Sequence, residues 1–420
     1  MTAPGHTLDR QTLVEALLAP LTPHAFLADY WERDSLLLAG DRTRGAGCLS
    51  VDDVEYLCYS LPRCERDWLR LIKDGKELPE HLYATREGMV DLAKVWRAYE
   101  AGFTIQLSKM HKRWKPVAAI CRALEQTLTR AGVLLTSRTG AHVYLTPRGT
   151  QGFHTHYDYH DVFVLQVDGR KRWHVHEWVG NYPLERRSAD APSDVIPPVK
   201  QDIVLEPGDL LYIPRGVYHD ARATEDDHSL HITFSMFPAT WVDLIQKLLP
   251  SASALRAPLP VHLAGAVSGA SAPAGEDDLA RVVTDLKDRL DALVSHGGVA
   301  KGVLQIGEDF LANIDAVPAA GLSQWGGDVE IGADTELEKR AGMLAHCVSS
   351  GESARLIFQG SALKGPAALV PTFEFIAAHD RFRPRDLPGR LTTDMKVRVV
   401  RELVKDGLLH AAAPDVDTEP

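Results

Sequence analysis

The residues Gly208-Asp209-Leu210-Leu211-Tyr212-Ile213-Pro214-Arg215-Gly216-Val217-Tyr218-His219 read as a turn, a short apolar strand, a Pro-x-Gly bend and a histidine delivered just beyond it. Glycine permits the left-handed turn and proline fixes φ and ends strand pairing, so the backbone path is written into the residue types. The surrounding chain has the same texture. Between residues 141 and 237, short β-rich runs at His142 to Leu145, Asp161 to Val167, Arg172 to His176, Ile203 to Leu205, Leu210 to Ile213 and Leu230 to Phe237 are punctuated by Asp168-Gly169 and Pro207-Gly208-Asp209. Many short strands with Gly/Pro turns predict a sandwich, barrel or jelly roll.

Histidine is concentrated in this region. His154, His156, His160, His174 and His176 fall within 23 residues, where 18 in 420 would place about one. If His154-Thr155-His156-Tyr157-Asp158-Tyr159-His160 is a strand, His154, His156, Asp158 and His160 share one face. Spacing alone leaves His154/His156 and His156/Asp158 as alternative ligand pairs, and a polar surface face would carry the same residues. With His219 as third ligand, the pair His156/Asp158 completes a two-histidine, one-carboxylate set. Such a set covers one face of Fe(II) and leaves the other for substrate, cosubstrate and O2.

The pattern G-x5-P-x-G-x2-H over residues 208–219 resembles the second motif of cupin barrels, where the bend aims the last histidine into the barrel mouth. Directly after His156-x-Asp158 comes Asp161-Val162-Phe163-Val164-Leu165-Gln166-Val167-Asp168-Gly169-Arg170-Lys171-Arg172-Trp173, a strand, a tight turn and a returning strand bearing a cation. Together these segments closely resemble the JmjC-type ribosomal oxygenases of the cupin superfamily, Fe(II)- and 2-oxoglutarate-dependent protein hydroxylases. The resemblance runs from Phe26-Leu27-Ala28-Asp29-Tyr30-Trp31-Glu32 to Phe237 and is strongest from Tyr144 to Ser235. It implies His156, Asp158 and His219 as iron ligands, O2 as cosubstrate, and Lys171 as the partner of the distal carboxylate of 2-oxoglutarate. A dianion chelating iron at one end needs a cation at the other, and Arg170 and Arg172 should then alternate outward. The family's histidyl hydroxylases hold the target side chain near an Asn, a Tyr and a Ser, and the matching residues are His142, Tyr144 and Ser235. His142 departs from the pattern by replacing an amide with a titratable ring, which leaves histidine, arginine and other targets open. His154, His160 and His231 are expected beside the metal site or at the surface, since a further protein ligand would block a position that oxygen chemistry needs.

Outward from this core, residues 13–130 show helical spacing and read as a wrapper, with Pro116 opening a helix through Val117, Ile120, Cys121, Leu124 and Leu128 that ends at Gly132. Residues 251–275 are rich in Ala, Ser, Gly and Pro and read as a linker. Leu279, Val282, Val283, Leu286, Leu290 and Leu293 form an apolar stripe that is either packed within one chain or a dimer helix, and the family resemblance favours a homodimer. From residue 325 further helices are expected, and the resemblance implies a C-terminal winged helix. The expected class is therefore α+β: a double-stranded β-helix (cupin/JmjC jelly roll) with a helical wrapper in residues 1–245, a linker and helical dimerisation segment in 246–322, and a winged-helix-like domain in 323–420.

Composition narrows the function. With 46 Lys/Arg against 57 Asp/Glu the net charge is −11, the wrong sign for coating nucleic acid or anionic lipid. The basic C-terminal run Arg381, Arg383, Arg385, Arg390, Lys396, Arg398, Arg401 and Lys405 sits in a stretch with 12 Lys/Arg and 15 Asp/Glu, so a solvated face is expected there. Five scattered cysteines, no basic-apolar leader and no apolar run of about 20 residues predict a cytoplasmic protein with reduced thiols and no membrane partner. The leading expectation is hydroxylation of a protein or peptide side chain, ribosomal proteins included. The alternatives are a metal cupin isomerase or dioxygenase using His154, His156 and His219 without 2-oxoglutarate, and a non-catalytic binding or regulatory cupin.

Overall fold

The β-rich region folds as two facing sheets in the computed structural model, which describes residues 10–412 except 62, 181, 186, 189–194, 253–254, 256–275, 295, 315–329 and 341. The chain divides into two units, Met1–Val133 with Ser137–Pro238, and Leu134–Thr136 with Ala239–Pro420. In the first unit the strands are β1 (Leu36–Leu38), β2 (Leu69–Lys73), β3 (Lys76–Glu77), β4 (Thr104–Leu107), β5 (Gly140–Thr146), β6 (His156–Tyr157), β7 (Asp161–Gly169), β8 (Lys171–His176), β9 (Arg187–Ser188), β10 (Val199–Leu205), β11 (Leu210–Ile213), β12 (His219–Ala223) and β13 (Ser229–Met236). They pair antiparallel in the orders β1-β11-β7-β13-β5-β4-β2-β3 and β10-β8-β12-β6-β9, the two-sheet arrangement of a cupin-like jelly roll.

Period-two alternation decides which side chains reach the interior. Along β5, Ala141, Val143 and Leu145 are buried on one face while His142 and Tyr144 take the other, and β13 alternates Leu230, Ile232 and Phe234 with His231, Thr233 and Ser235. Val162, Val164, Leu211 and Ile213 of the large sheet meet Trp173, Val175 and Leu205 of the small one in a shared apolar core. Helices α1 (Arg10–Leu18), α2 (Pro23–Asp29), α3 (Val51–Tyr59), α4 (Leu92–Glu100) and α5 (Lys115–Arg130) supply the wrapper. The helix α5 begins at Lys115, one residue before the expected Pro116, and buries Val117, Ile120, Cys121, Leu124 and Leu128 as the spacing predicts, and Gly132 follows with φ of +88°. On α2, the ring of Phe26 lies 5.2 Å from Phe163 and 4.9 Å from Tyr212.

The N-terminal region is not purely helical. Strands β1 to β4 extend the large sheet, and Leu69-Arg70-Leu71 and Thr104-Ile105-Gln106-Leu107 do alternate as strands should. Stretches this short carry almost no periodic signal alone, and the neighbouring β5 supplies the context that makes them strands.

The second unit contains α6 (Trp241–Leu248), α7 (Glu276–Leu293) and α8 (His296–Asn313), with Gly302 of α8 set against Leu244 and Leu248 of α6. Residues 256–275 of the expected linker lie outside the described residues. Beyond them, strands dominate where helices were expected: β14 (Leu337–Lys339), β15 (Ala345–Ser350), β16 (Ser353–Phe358), β17 (Ser361–Pro366), β18 (Arg381–Phe382) and β19 (Leu409–Ala411), in sheets β18-β14-β19 and β15-β16-β17. With α9 (Val370–Ala378) and α10 (Thr393–Lys405) they enclose a core that includes Leu337, Leu356, Phe358, Phe373, Ile376, Val400 and Leu403. The first part of the basic run is paired locally, Arg381 with Glu338, Arg383 with Glu336 and Arg385 with Asp334. All five cysteines are free thiols, and among the described residues no helix is long and apolar enough to cross a membrane.

Gly169 ends β7 with φ of +62°, and a Cβ there would fall 2.0 Å from the carbonyl oxygen of His228. Gly169→Ala should therefore cost about 2 kcal/mol or more, whereas Gly132→Ala, with nothing within 4 Å, should cost only about 1 kcal/mol of left-handed strain. Urea unfolding of the two variants measures the difference, and equal losses would show that the His228 contact is relieved freely.

A candidate metal centre inside the barrel

Only His156 and Tyr157 of the histidine-rich run are strand; the chain turns at Asp158. The four candidate ligands accordingly separate. His154 is exposed with its ring packed on Gly75, where an added Cβ would sit 2.7 Å from His154 Cδ2. His156 and Asp158 turn into the barrel, and His160 lines the same cavity beside Phe237. His174 and His176 are on the outer face of β8, where Asp220 meets His174 Nδ1 at 2.9 Å.

On β12, His219 is in register with His156 of β6, and the two rings are 4.4 Å apart. Among the described residues, His156, Asp158 and His219 form the one group of three side chains whose ligand atoms all lie within 4.8 Å of one another. His156 Nδ1 donates to the carbonyl of His154 at 2.8 Å and His219 Nδ1 to that of Val217 at 3.0 Å, since a carbonyl can only accept. Both rings thus carry their hydrogen on Nδ1 and present bare Nε2 atoms, 4.0 and 3.7 Å from the Asp158 carboxylate oxygens. Two neutral imidazole nitrogens and one carboxylate suit a divalent cation.

The bend that delivers His219 is tied down. Gly216 N–H donates to the Asp158 carbonyl at 2.9 Å, and Arg215 pairs with Glu32 at 2.5 Å. The Glu32 N–H in turn donates to the Tyr212 hydroxyl at 2.9 Å, which donates to Asp161 at 2.6 Å. Burial pushes the Asp161 carboxyl up to about 7.

A cavity of about 190 Å³ opens beside His156, Asp158 and His219. Lys171 lies in it, 4% exposed, with its Nζ donating to Thr146 Oγ1 at 3.1 Å and no carboxylate paired with it among the described residues. Burial pulls the ammonium down to about 7. Arg170 and Arg172 do point outward, to Asp226 and Asp202. Next to Lys171, His231 is held well below the usual imidazole range, first by burial and then by that ammonium. Its ring stacks on Tyr144 at 4.9 Å, and its buried Nδ1 has no hydrogen-bond partner among the described residues. An uncompensated amine and an unsatisfied ring nitrogen buried in one pocket fit a carboxylate ligand.

His142, Tyr144 and Ser235 all line the cavity. So do Arg70, Thr104 and Gln106, which lie on β2 and β4 in the region read from sequence as a helical wrapper. The available signal was the polar member of each short alternation, Arg70 between Leu69 and Leu71 and Gln106 between Ile105 and Leu107.

Residues 116–244 match the family model described as a JmjC domain. The chain is 31% identical over 394 residues to ribosomal oxygenase 1 of Danio rerio, covering 82% of this chain and 67% of that protein. It is 31% identical over 267 residues to a Drosophila persimilis protein named bifunctional lysine-specific demethylase and histidyl-hydroxylase NO66, covering 59% of this chain and 36% of the relative. The chain thus spans about half of the length, or less, of several curated relatives that it matches. A structure of YcfD, a ribosomal oxygenase from Escherichia coli in complex with cobalt and 2-oxoglutarate, superposes with a TM-score of 0.52 at 16% identity, covering 94% of this chain and 99% of that one. At that identity the likeness is one of fold.

Lys171 carries a stability cost with a definite pH dependence. Its folded value of about 7 lies below the ordinary 10.5, so as pH falls through 10.5 the unfolded chain takes up a proton that the folded protein resists. The penalty is complete below about pH 7. Lys171→Met should therefore raise the unfolding free energy by on the order of 2–4 kcal/mol at pH 7 and by much less at pH 10. Urea titrations at both values check this, and an equal gain at both would place the ammonium in water.

Proposed function

The chain belongs to the ribosomal oxygenase family, and from that premise we propose that it is an Fe(II)- and 2-oxoglutarate-dependent oxygenase that hydroxylates an amino-acid side chain of a protein or peptide. The observation that carries this reading is the placement of the buried, carboxylate-free Lys171 in the same cavity as the His156, Asp158 and His219 donors. His156, Asp158 and His219 would hold the iron. When bound, iron with 2-oxoglutarate and O2 supplies the oxidising power to functionalise an unactivated carbon. Everything else is the work of the chain. Lys171, braced by Thr146, keeps its proton once it faces the distal carboxylate of 2-oxoglutarate. Val162, Val164 and Trp173 keep that end of the cavity apolar, which strengthens the ion pair. His142, Tyr144 and Ser235 form the wall available to the substrate side chain, with ribosomal proteins as the first candidates.

The finer architecture belongs to the same proposal. Five free cysteines support a reducing, cytoplasmic setting. On α7 the stripe residues Val283, Leu286 and Leu290 are 50, 49 and 39% exposed, which supports a homodimer in which a second copy covers them. The unit built on β14 to β19 with α9 and α10 is read as winged-helix-like. Incubation with iron, 2-oxoglutarate, ascorbate and host lysate, followed by mass spectrometry for peptides gaining one oxygen, tests the activity.

Two outcomes are expected. Alanine at His156, Asp158 or His219 should weaken Mn(II) binding in calorimetry by more than about 100-fold and abolish succinate formation, while His154→Ala keeps both within about threefold. Loss of metal in His154→Ala would move the ligand set. Light scattering should give twice the chain mass for the wild type and the single-chain mass for Leu286→Glu/Leu290→Glu, because charge in a covered stripe opposes association; a monomeric wild type at micromolar concentration ends the dimer reading.

A further inference from the structure

Resting on the oxygenase reading, we infer that Gln106, oriented by Arg70, sets the hydrogen-bond polarity of the wall that meets the substrate, so that the enzyme takes a target side chain offering an acceptor and rejects a guanidinium or ammonium. Gln106 is on β4, 5% exposed, and lines the cavity. Its Oε1 accepts from Arg70 Nη1 at 3.3 Å. Arg70 is itself fixed, with Nε and Nη2 donating to the Glu77 carboxylate at 3.0 and 2.8 Å, and Arg66 gripping the same carboxylate from the other side.

A carboxamide beside a guanidinium has one favourable orientation, oxygen toward the cation, because the reverse sets N–H against N–H. The Gln106 NH2 therefore faces Tyr144 Oη at 3.4 Å and His142 Nδ1 at 3.5 Å. Both accept. With Nδ1 accepting, the His142 hydrogen resides on Nε2, and burial, pulling the ring down to about 4, keeps it neutral. Ser108 Oγ reaches the same Nδ1 at 3.2 Å and supports this tautomer as a second donor. The Tyr144 hydroxyl, receiving from Gln106, directs its own hydrogen to another acceptor.

The wall thus offers the His142 Nε2–H as a donor, while the Arg70 charge is taken up by Glu77. A guanidinium has five donors and no acceptor, so it would meet a donor with donors. An imidazole or a carboxamide offers the acceptor that is wanted. Leaving buried donors unpaired costs more than a hydrogen bond returns, which is how such a wall discriminates. Gln106 acts here as a positioning residue, through His142 and Tyr144.

The test uses full-length protein loaded with Mn(II) and 2-oxoglutarate, and four synthetic peptides identical except for a central His, Asn, Arg or Lys. Fluorescence anisotropy should show the His or Asn peptide bound at least tenfold more tightly than the Arg and Lys peptides. In Gln106→Glu, an isosteric change that makes the same contacts acceptors, that preference should shrink at least tenfold. Long-range ¹⁵N NMR of the imidazoles, with His142 assigned by its loss in His142→Asn, should report an Nε2 hydrogen in the wild type and an Nδ1 hydrogen in Gln106→Glu. Arg or Lys peptides binding as tightly as the others, no peptide binding, an unchanged preference in Gln106→Glu, or an Nδ1 hydrogen in the wild type each overturn the inference. Succinate formed by the iron-loaded protein without peptide separates the two levels: its presence alongside such a result leaves the oxygenase reading standing, and its absence removes that reading.

Discussion

His219 lies directly opposite His156 across the β6–β12 pair, so the 4.4 Å separation of the two rings follows from backbone register and not from side-chain packing. A slip of one residue in either strand would turn that strand's ring to the other face. The register is fastened from outside the barrel. Thr155, just before His156, donates to Asp220, just after His219, at 3.0 Å, and the same carboxylate meets His174 Nδ1 at 2.9 Å. A histidine of the dense stretch, His174, therefore serves the site by holding the strand that carries His219.

The two cations of the cavity differ in a way that separates scaffold from ligand binding. Arg70 enters the cavity already paired with Glu77, so its charge is satisfied before any ligand arrives and its direction is fixed. Among the described residues Lys171 has only a threonine hydroxyl, and burying an ammonium on those terms is unfavourable unless something else gains from it. A buried ammonium kept against stability in a cavity is best explained by what binds there. The hydrogen-bonding of His156 and His219 is equally directional: each Nδ1 is committed to a carbonyl, which turns each Nε2 toward the Asp158 carboxylate.

How much of this could be read from the sequence depended on rarity and length. Histidines at i and i+2 with a carboxylate, and a Pro-x-Gly bend before a further histidine, are uncommon enough to stand out of 420 residues, and Gly169 marks the turn that presents Lys171. Thr104-Ile105-Gln106-Leu107 is a four-residue alternation among helices, below what periodicity resolves, so the wall bearing Gln106 and Arg70 was read as wrapper. Spacing alone left His154 and Asp158 as alternatives, and the approach of Gly75 from the β2–β3 hairpin shows where the His154 ring goes. In the second unit, Ala354, Leu356 and Phe358 are buried at strand spacing within Ser353–Phe358, a signal present in the sequence but passed over for helices.

The order of the large sheet has a consequence for biogenesis. β1, at Leu36–Leu38, pairs with β11, at Leu210–Ile213, and Glu32 closes on Arg215, so the earliest-made strand waits for one of the last before its edge is paired. Such non-local pairing slows folding, because loop closure must be met before the contacts reward it. During synthesis Leu36, Leu37 and Leu38 remain an open apolar edge while roughly 170 further residues emerge. The nascent chain therefore has a long interval in which a chaperone can bind it or an aggregate can claim it, and the ligand set is complete only after that interval closes.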